Sequence, residues 1–365
     1  MRNKKNVGIL TWHYYPNFGS ALQAFALQRT IESLGYKVSI VNYRNPKFGN
    51  VSRIRNLIQV MLGNTVGRLP LKHVDRFRYA PQCFSHRYHR EGKLTLGDAL
   101  LFENTKKMDL LVCGSDQIWA PNVFNPIYFA SFARKGIRKV AYAASIGLNT
   151  IPQELVPKYK HLLSDFFAVG IREREGRHLL KAQCGVDSTV VLDPTLLVDS
   201  DTYKSMQRRV GVVERPFLFC YFLNKEHQYK EAVERYASEH NLQIVGVSDK
   251  VTDGDWMKRL TGLGADHFLW LVNNAETIMT DSYHGSIFSL LFHKNLWIFQ
   301  RFADNDPICQ NSRIRQLKNN FNIGHRIIMA TSRIDDTQEI DYNYFESRLQ
   351  ELRASSLDFL KKALD

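Results

Sequence analysis

Apolar and polar positions along this chain follow two alternating rhythms. Short, nearly unbroken apolar runs at 7–12, 37–43, 109–113, 140–144, 168–171 and 189–192 read as strands covered on both faces. Between them lie segments with helical spacing. The clearest is 20–34, where Leu27, Ile31 and Leu34 share a face and Gly35 supplies a stop signal. The pattern restarts near Pro216: strand 217–223, helix 226–240, strand 243–247, a short helix at 268–273, a buried strand at 277–279 running through a polar turn into the apolar run 287–292, and strand 295–299. A last amphipathic helix is predicted over 349–363. Strands that alternate with helices in this way build parallel sheets with helices on both faces. Asp199, Ser200, Asp201 and Glu214-Arg215-Pro216 interrupt the pattern, so a domain boundary is expected between 196 and 216. The predicted organisation is a first domain over 1–200, a second over 212–335 and a terminal helix over 340–365. Neither an internal repeat nor a low-complexity tract interrupts it.

At 365 residues, 44% hydrophobic and 23% charged, the chain has globular proportions. No run approaches the roughly 18 apolar residues of a membrane span. The N-terminal stretch is short, basic and without an apolar leader pattern, which predicts a cytoplasmic protein. The five cysteines are scattered with no CxxC spacing, as expected for reduced thiols rather than disulfides or a zinc site. The twelve histidines form no HxxxH or HxH cluster with carboxylates, so no metal is expected. The net charge of +13 is uneven: residues 1–195 hold 28 basic and 13 acidic side chains, and residues 196–365 hold 21 and 23. Segment 51–93 is the densest, with nine basic residues against Asp75 and Glu91. Such a surface is either simply solvated or meets an anionic membrane or polyanionic substrate. No nucleic-acid motif accompanies it, so nucleic acid is not an expected partner.

The candidate chemistry sits where predicted strands end, the usual ligand edge of an open α/β sheet. Thr280-Asp281-Ser282-Tyr283-His284-Gly285-Ser286 is a strand-turn-helix passage. His284 can act as acid or base near neutrality, Asp281 is its close neighbour in sequence, and Gly285 permits close approach. Asn17-Phe18-Gly19-Ser20 opens the first helix, where backbone N–H groups favour an anion, or where Asn17, Gly19 and Ser20 only shape a turn and a cap. Gly114-Ser115-Asp116-Gln117-Ile118-Trp119 combines a carboxylate, an amide and an indole, a set suited to a sugar. Asp116 there is a candidate general base, or an ordinary cap beside a packing tryptophan. Arg172 ends another strand and can grip an anion in two-point geometry. Arg301 and Arg313 lie downstream, within reach of the same cleft. Asp193, before Pro194, reads as a turn-maker. No GxSxG elbow points to acyl transfer.

Together these motifs resemble the polysaccharide pyruvyl transferase family. The resemblance runs from Asn17-Phe18-Gly19-Ser20 and 22–27 through 114–119, Ile171-Arg172-Glu173 and 192–197 to 280–285. It implies two Rossmann-like domains facing a cleft, as in GT-B glycosyltransferases, with the basic first domain on the acceptor side and the second on the donor side. It also implies transfer of a pyruvyl unit from phosphoenolpyruvate, a co-substrate rather than a cofactor, to two hydroxyls of a sugar, forming a cyclic ketal. The acceptor would be a surface polysaccharide such as a capsule or exopolysaccharide, or its lipid-linked oligosaccharide precursor, met at the inner face of the membrane. His284 matches the histidine that protonates the donor's methylene carbon, and Arg172 matches an arginine that holds the donor. Asn17, Gly19, Ser20, Gln117 and Trp119 are the expected acceptor contacts. Asp116 and Asp281 are expected to assist His284, and Ser282, Gly285 and Ser286 to line the donor side. The family's Arg-x-His pattern is broken here, because Ser282 stands where the arginine belongs. Arg301 or Arg313 would have to replace that charge. Two other readings remain: a GT-B-type glycosyltransferase using a nucleotide sugar, and a non-catalytic sugar-binding homologue.

Overall fold

The computed structural model describes residues 4–13, 17–43, 98–211, 213, 216–224, 226–248, 256–260, 262–303, 306, 309–330 and 332–365. The basic segment 51–93, including Cys83, and Glu214 and Arg215 of the expected boundary lie outside the described residues.

The first half opens with β1 (Asn6–Leu10), α1 (Phe18–Ser33), β2 (Lys37–Ile40), α2 (Asp98–Thr105), β3 (Leu110–Cys113) and β4 (Arg138–Ala144). It continues with α3 (Val156–Leu163), β5 (Phe166–Ile171), α4 (Arg174–Leu179), β6 (Thr189–Val190) and α5 (Ser200–Ser205). The second half contains β7 (Phe217–Phe222), α6 (Lys230–Glu239), β8 (Gln243–Ser248), β9 (Lys258–Arg259), α7 (Ala265–Asn274) and β10 (Thr277–Thr280). It ends with α8 (Tyr283–Leu291), β11 (Asn295–Phe299), α9 (Ser312–Phe321), β12 (Ile327–Ile328) and α10 (Tyr342–Leu364). Six strands form each sheet, ordered β2-β1-β3-β4-β5-β6 and β12-β11-β10-β7-β8-β9. Every described pairing is parallel. This is a pair of Rossmann-like sheets, the doubly wound class that the alternating pattern predicts. The central strands β3 and β7 are buried at every position, which explains why they read as continuous apolar runs.

Helix α1 differs from its expected one-sided character. Thirteen of its 16 residues are buried, because it lies between the two halves and not on an outer face. Phe18 stacks on Phe268 of α7 with ring centroids 5.0 Å apart and tilts against Tyr221 of β7 at 5.6 Å. Ala21, Leu22 and Phe25 join the same core as Tyr203, Phe219 and Phe288. An apolar seam therefore holds the start of α1 against the second sheet. The terminal helix begins at Tyr342, before its amphipathic stretch at 349–363, because Asp341 caps it through a 2.9 Å bond from the Tyr344 N–H. Its Phe345 and Leu349 belong to the core of the seam, while Leu360, Ala363 and Leu364 pack under the first sheet. At 23 residues it extends about 35 Å, enough to span both halves.

Candidate active site

Five strand ends supply the walls of one cavity of about 270 Å3. Trp12 follows β1, Asp116 and Gln117 follow β3, Leu223 follows β7, Ser282 and His284 follow β10, and Arg301 follows β11. Asn17 and Ser20 from the start of α1, Tyr283 of α8 and Arg313 of α9 complete it. The buried amide of Gln23 fixes the first-domain wall. Its nitrogen donates to Thr11 Oγ1, the Trp12 carbonyl and the Ser20 carbonyl at 3.0, 2.8 and 2.9 Å, and its oxygen accepts from the Ser115 N–H at 3.2 Å.

His284 is buried and pressed against Gly19. A Cβ at position 19 would collide with the imidazole at Nδ1, so only glycine fits there. The other ring nitrogen, Nε2, lies 3.4 Å from Asp193 Oδ2, close enough for an ion pair with a protonated ring but not aligned for a hydrogen bond. The same Asp193 oxygen accepts from Arg172 Nη1 at 2.8 Å, and Oδ1 accepts from the N–H and hydroxyl of Thr195 at 3.0 and 2.7 Å. Burial pushes the Asp193 carboxyl up, but His284, Arg172 and Thr195 outweigh it and hold the group well below the usual carboxylate range. Asp193 is thus the charged partner of His284, not merely a turn-maker. Nothing local in the sequence signals this, because the two residues meet only across the domain seam.

The carboxylate on the cavity wall is Asp116, held in left-handed backbone at φ 74°. Its Oδ2 accepts a 2.6 Å hydrogen bond from the Ser20 hydroxyl, and Oδ1 accepts from the Gln117 N–H at 2.8 Å. Residues of this conformation collect where a site over-determines its geometry.

Opposite Asp116, Arg301 and Arg313 converge with Gln117 on one neutral atom. Gln310 Oε1 accepts from Gln117 Nε2 at 3.0 Å, Arg301 Nη2 at 3.4 Å and Arg313 Nη2 at 2.9 Å. An amide oxygen has two lone pairs, so three donors exceed its capacity. Among the described residues the buried Nε of Arg313 has no acceptor. Burial, with Arg172 and Arg301 nearby, pulls the Arg313 guanidinium down to about 10. Crowded cations around a single neutral oxygen form a pocket suited to an anion.

The structure also moves several expected residues away from this chemistry. Arg172 does not line the cavity. It lies against the Tyr283 ring at 4.8 Å while Arg313 approaches the same ring at 5.6 Å, and it meets His284 through Asp193. Asp281 is spent on structure: its oxygens accept from the N–H groups of Leu223 and Asn224 at 2.7 and 3.0 Å and from the Tyr229 hydroxyl at 3.2 Å. Burial pushes its carboxyl up, and Arg301 and these donors only partly offset that. Trp119 is fully buried, stacks on Phe129 at 4.9 Å and donates its N–H to the Tyr128 carbonyl at 3.0 Å, which corrects the expectation that it covers a sugar face. Trp12 is the tryptophan that lines the cavity. Ser282 caps α8, accepting from the Gly285 N–H at 3.3 Å, and its carbonyl accepts from the Ser286 hydroxyl at 3.0 Å. Gly285 is required because a Cβ there would sit 2.5 Å from Thr280 Oγ1. Gly285 and Ser286 therefore shape the turn, and neither lines the cavity.

Among the described residues, no three His, Cys, Asp or Glu side chains gather as a metal site. Also among them, no helix is long and apolar enough to cross a membrane.

The chain resembles S. aureus MnaA, solved with UDP, at a TM-score of 0.52 and 10% identity, covering 97% of this chain and 91% of that one. UDP-GlcNAc 2-epimerase from Methanocaldococcus jannaschii gives a TM-score of 0.49 and 13% identity over 95% of this chain and 92% of that one. The glycosyltransferase SnogD from Streptomyces nogalater gives 0.46 and 10% identity over 99% and 98%. At such identities the likeness is one of fold. No curated protein matches the chain significantly. The family model for polysaccharide pyruvyl transferase matches residues 17–299, most of the chain, and the chain belongs to that family.

Proposed function

We propose that this chain moves the pyruvyl unit of phosphoenolpyruvate onto two hydroxyls of a sugar in a polysaccharide or its lipid-linked precursor. The observation that carries this reading is the convergence of Arg301, Arg313 and Gln117 on the Gln310 oxygen beside His284. A carboxylate and a phosphate on one small donor would satisfy those surplus N–H groups. The two arginines together supply the charge missing at Ser282.

The chemistry then follows from position. With Nε2 beside Asp193 and the ring on the cavity wall, His284 delivers a proton to the donor's methylene carbon, turning it into a methyl group. The neighbouring carbon becomes electrophilic, and a sugar hydroxyl adds to it as Asp116 accepts the hydroxyl proton. A second hydroxyl of the same sugar then displaces phosphate, which leaves with that hydroxyl's proton, and the ketal closes. Donor and acceptor supply every atom, so no cofactor enters the scheme. Asp193, 3.4 Å from Nε2, orients the ring. A lipid-linked acceptor at an anionic membrane surface fits the basic excess of residues 1–195.

Thermal denaturation with phosphoenolpyruvate and with nucleotide sugars tests the donor. Stabilisation by phosphoenolpyruvate that disappears in Arg313→Met is expected. Stabilisation by a nucleotide sugar and none by phosphoenolpyruvate would replace this reading with a glycosyltransferase.

A further inference from the structure

A second and larger cavity, of about 470 Å3, shares Tyr283 with the first. Its walls come from α4 and β6 of the first half and from α9 and α10 of the second. Its volume falls in the range of small-molecule sites, about 300–1,000 Å3. Three features define what it would hold.

Charge is the first. Arg172, Arg174, Arg177 and His178 line the cavity, against Asp193 alone among acids. Asp193 is already occupied by Arg172 and Thr195 and faces His284. Among the described residues, neither Arg174 nor Arg177 makes an ion pair.

The second is an anchor. Arg172 is only 2% exposed, yet among the described residues its Nε and Nη2 have no hydrogen-bond acceptor. Those two N–H groups form one edge of the guanidinium, the edge that matches two oxygens of a phosphate in parallel. The nearest acid to Nε is Glu173, at 3.7 Å, beyond hydrogen-bonding distance. A buried guanidinium whose N–H groups lack hydrogen-bond acceptors, with Glu173 close only as an ion-pair partner, is costly unless an acceptor arrives.

The third is room for more than a head group. Val190, Leu196, Leu317 and Leu352 supply apolar wall, and Ser355 and Asn320 supply neutral polar groups. That mixture suits the body of a sugar, whose faces are apolar and whose edges are hydroxylated.

We propose that this second cavity binds a small organic phosphate, such as a phosphorylated sugar, with Arg172 as its buried anchor and Arg174 and Arg177 gripping it from the exposed rim. A phosphate suits the site better than a carboxylate, because three arginines line the cavity while the two acids beside them, Asp193 and Glu173, already face Arg172. The site does not depend on the identity of the transferase donor. It touches the first cavity through the Arg172–Asp193–His284 chain and the Tyr283 ring.

Isothermal titration calorimetry on the full chain tests this with a hexose 1-phosphate, inorganic phosphate and phosphoenolpyruvate as separate probes. Arg174 and Arg177 lie on an exposed helix face, so the double variant Arg174→Ala/Arg177→Ala is expected to fold. It should weaken hexose phosphate binding by about tenfold or more while leaving phosphoenolpyruvate within about twofold. Leu352→Trp, which fills the cavity from α10, should act in the same direction. Arg313→Met should do the reverse, weakening phosphoenolpyruvate and sparing the hexose phosphate. Loss of hexose phosphate binding in Arg313→Met would overturn the proposal, since both ligands would then share the first cavity. So would hexose phosphate binding unaffected by the double variant, no binding of hexose phosphate, or inorganic phosphate binding just as tightly. Hexose phosphate binding without any phosphoenolpyruvate binding would instead sink the proposed donor and leave this site standing.

Discussion

Arg313 is held in the folded protein against its own solvation. Its guanidinium is pulled from 12.5 down to about 10 by burial and by the nearby charges of Arg172 and Arg301. At about 1.4 kcal/mol per pKa unit this is a gross penalty of about 3 kcal/mol on the charged form. The fold disfavours the protonated group, so the penalty is complete at neutral pH and fades only as pH climbs through about 10 toward 12.5. Solvent at the half-buried head group screens part of it. Replacing arginine by methionine also removes the 2.9 Å hydrogen bond to Gln310, worth about 1 kcal/mol. The thioether keeps most of the contact with Tyr283. About 1 kcal/mol remains in favour of Arg313→Met, an increase of about 1–2 °C in Tm for a chain of this length. The donor should invert this order. At a hundredfold excess over its Kd, phosphoenolpyruvate adds about 2.7 kcal/mol to the wild type, and it should add little to the variant. Scanning calorimetry with and without donor reads both quantities. If Arg313→Met melts below the wild type without donor, or gains equally from the donor, the anion-site reasoning is refuted.

Asp193→Asn keeps the shape but strands Arg172, so chemical denaturation should show a loss of about 3–5 kcal/mol. The wild-type carboxyl is held below its unfolded value, so the stability it contributes is present above about pH 4 and lost as pH falls further; Asp193→Asn should flatten that acid limb. Gly19→Ala drives a methyl group into His284 and should cost about 1–3 kcal/mol while lowering turnover, read by denaturation and initial rates. His284→Ala should abolish turnover, a loss of at least about 10²-fold, with an unchanged circular dichroism spectrum. Asp281→Ala should do the opposite, lowering Tm by unseating three donors while leaving the Kd for phosphoenolpyruvate unchanged.

The two sheets were legible because buried parallel strands have a local signature: β3 and β7 are apolar at every position. The strand-end placement of Asp116, His284 and Arg301 followed from the same reading. What the sequence hid is long-range. Asp193 looks like a turn residue because its cap to Thr195 is local, whereas its contacts with Arg172 and His284 depend on how two separate sheets meet. Trp119 sits in a motif suited to a sugar, yet Phe129 and Phe166 close over it, and no periodicity over 114–119 encodes that. Asp281 lies three residues before the histidine in sequence but accepts from the loop after β7, because residues of one turn leave it in different directions. Ser282 departs from the family pattern in charge but keeps a clear local job as a helix cap. Arg313 of α9 and Arg301 after β11 line the same cavity as Ser282.

The central claim is that His284 protonates phosphoenolpyruvate bound by Arg301 and Arg313. Its most direct test is incubation of the purified chain with phosphoenolpyruvate and a panel of lipid-linked or aryl galactosides, glucosides and mannosides, read by mass spectrometry and phosphate release. The expected result is an acceptor carrying one pyruvyl ketal, formed with one phosphate released per ketal and absent with His284→Ala. Ketal formation undiminished in His284→Ala, or phosphoenolpyruvate left intact while a nucleotide sugar is consumed, would contradict it.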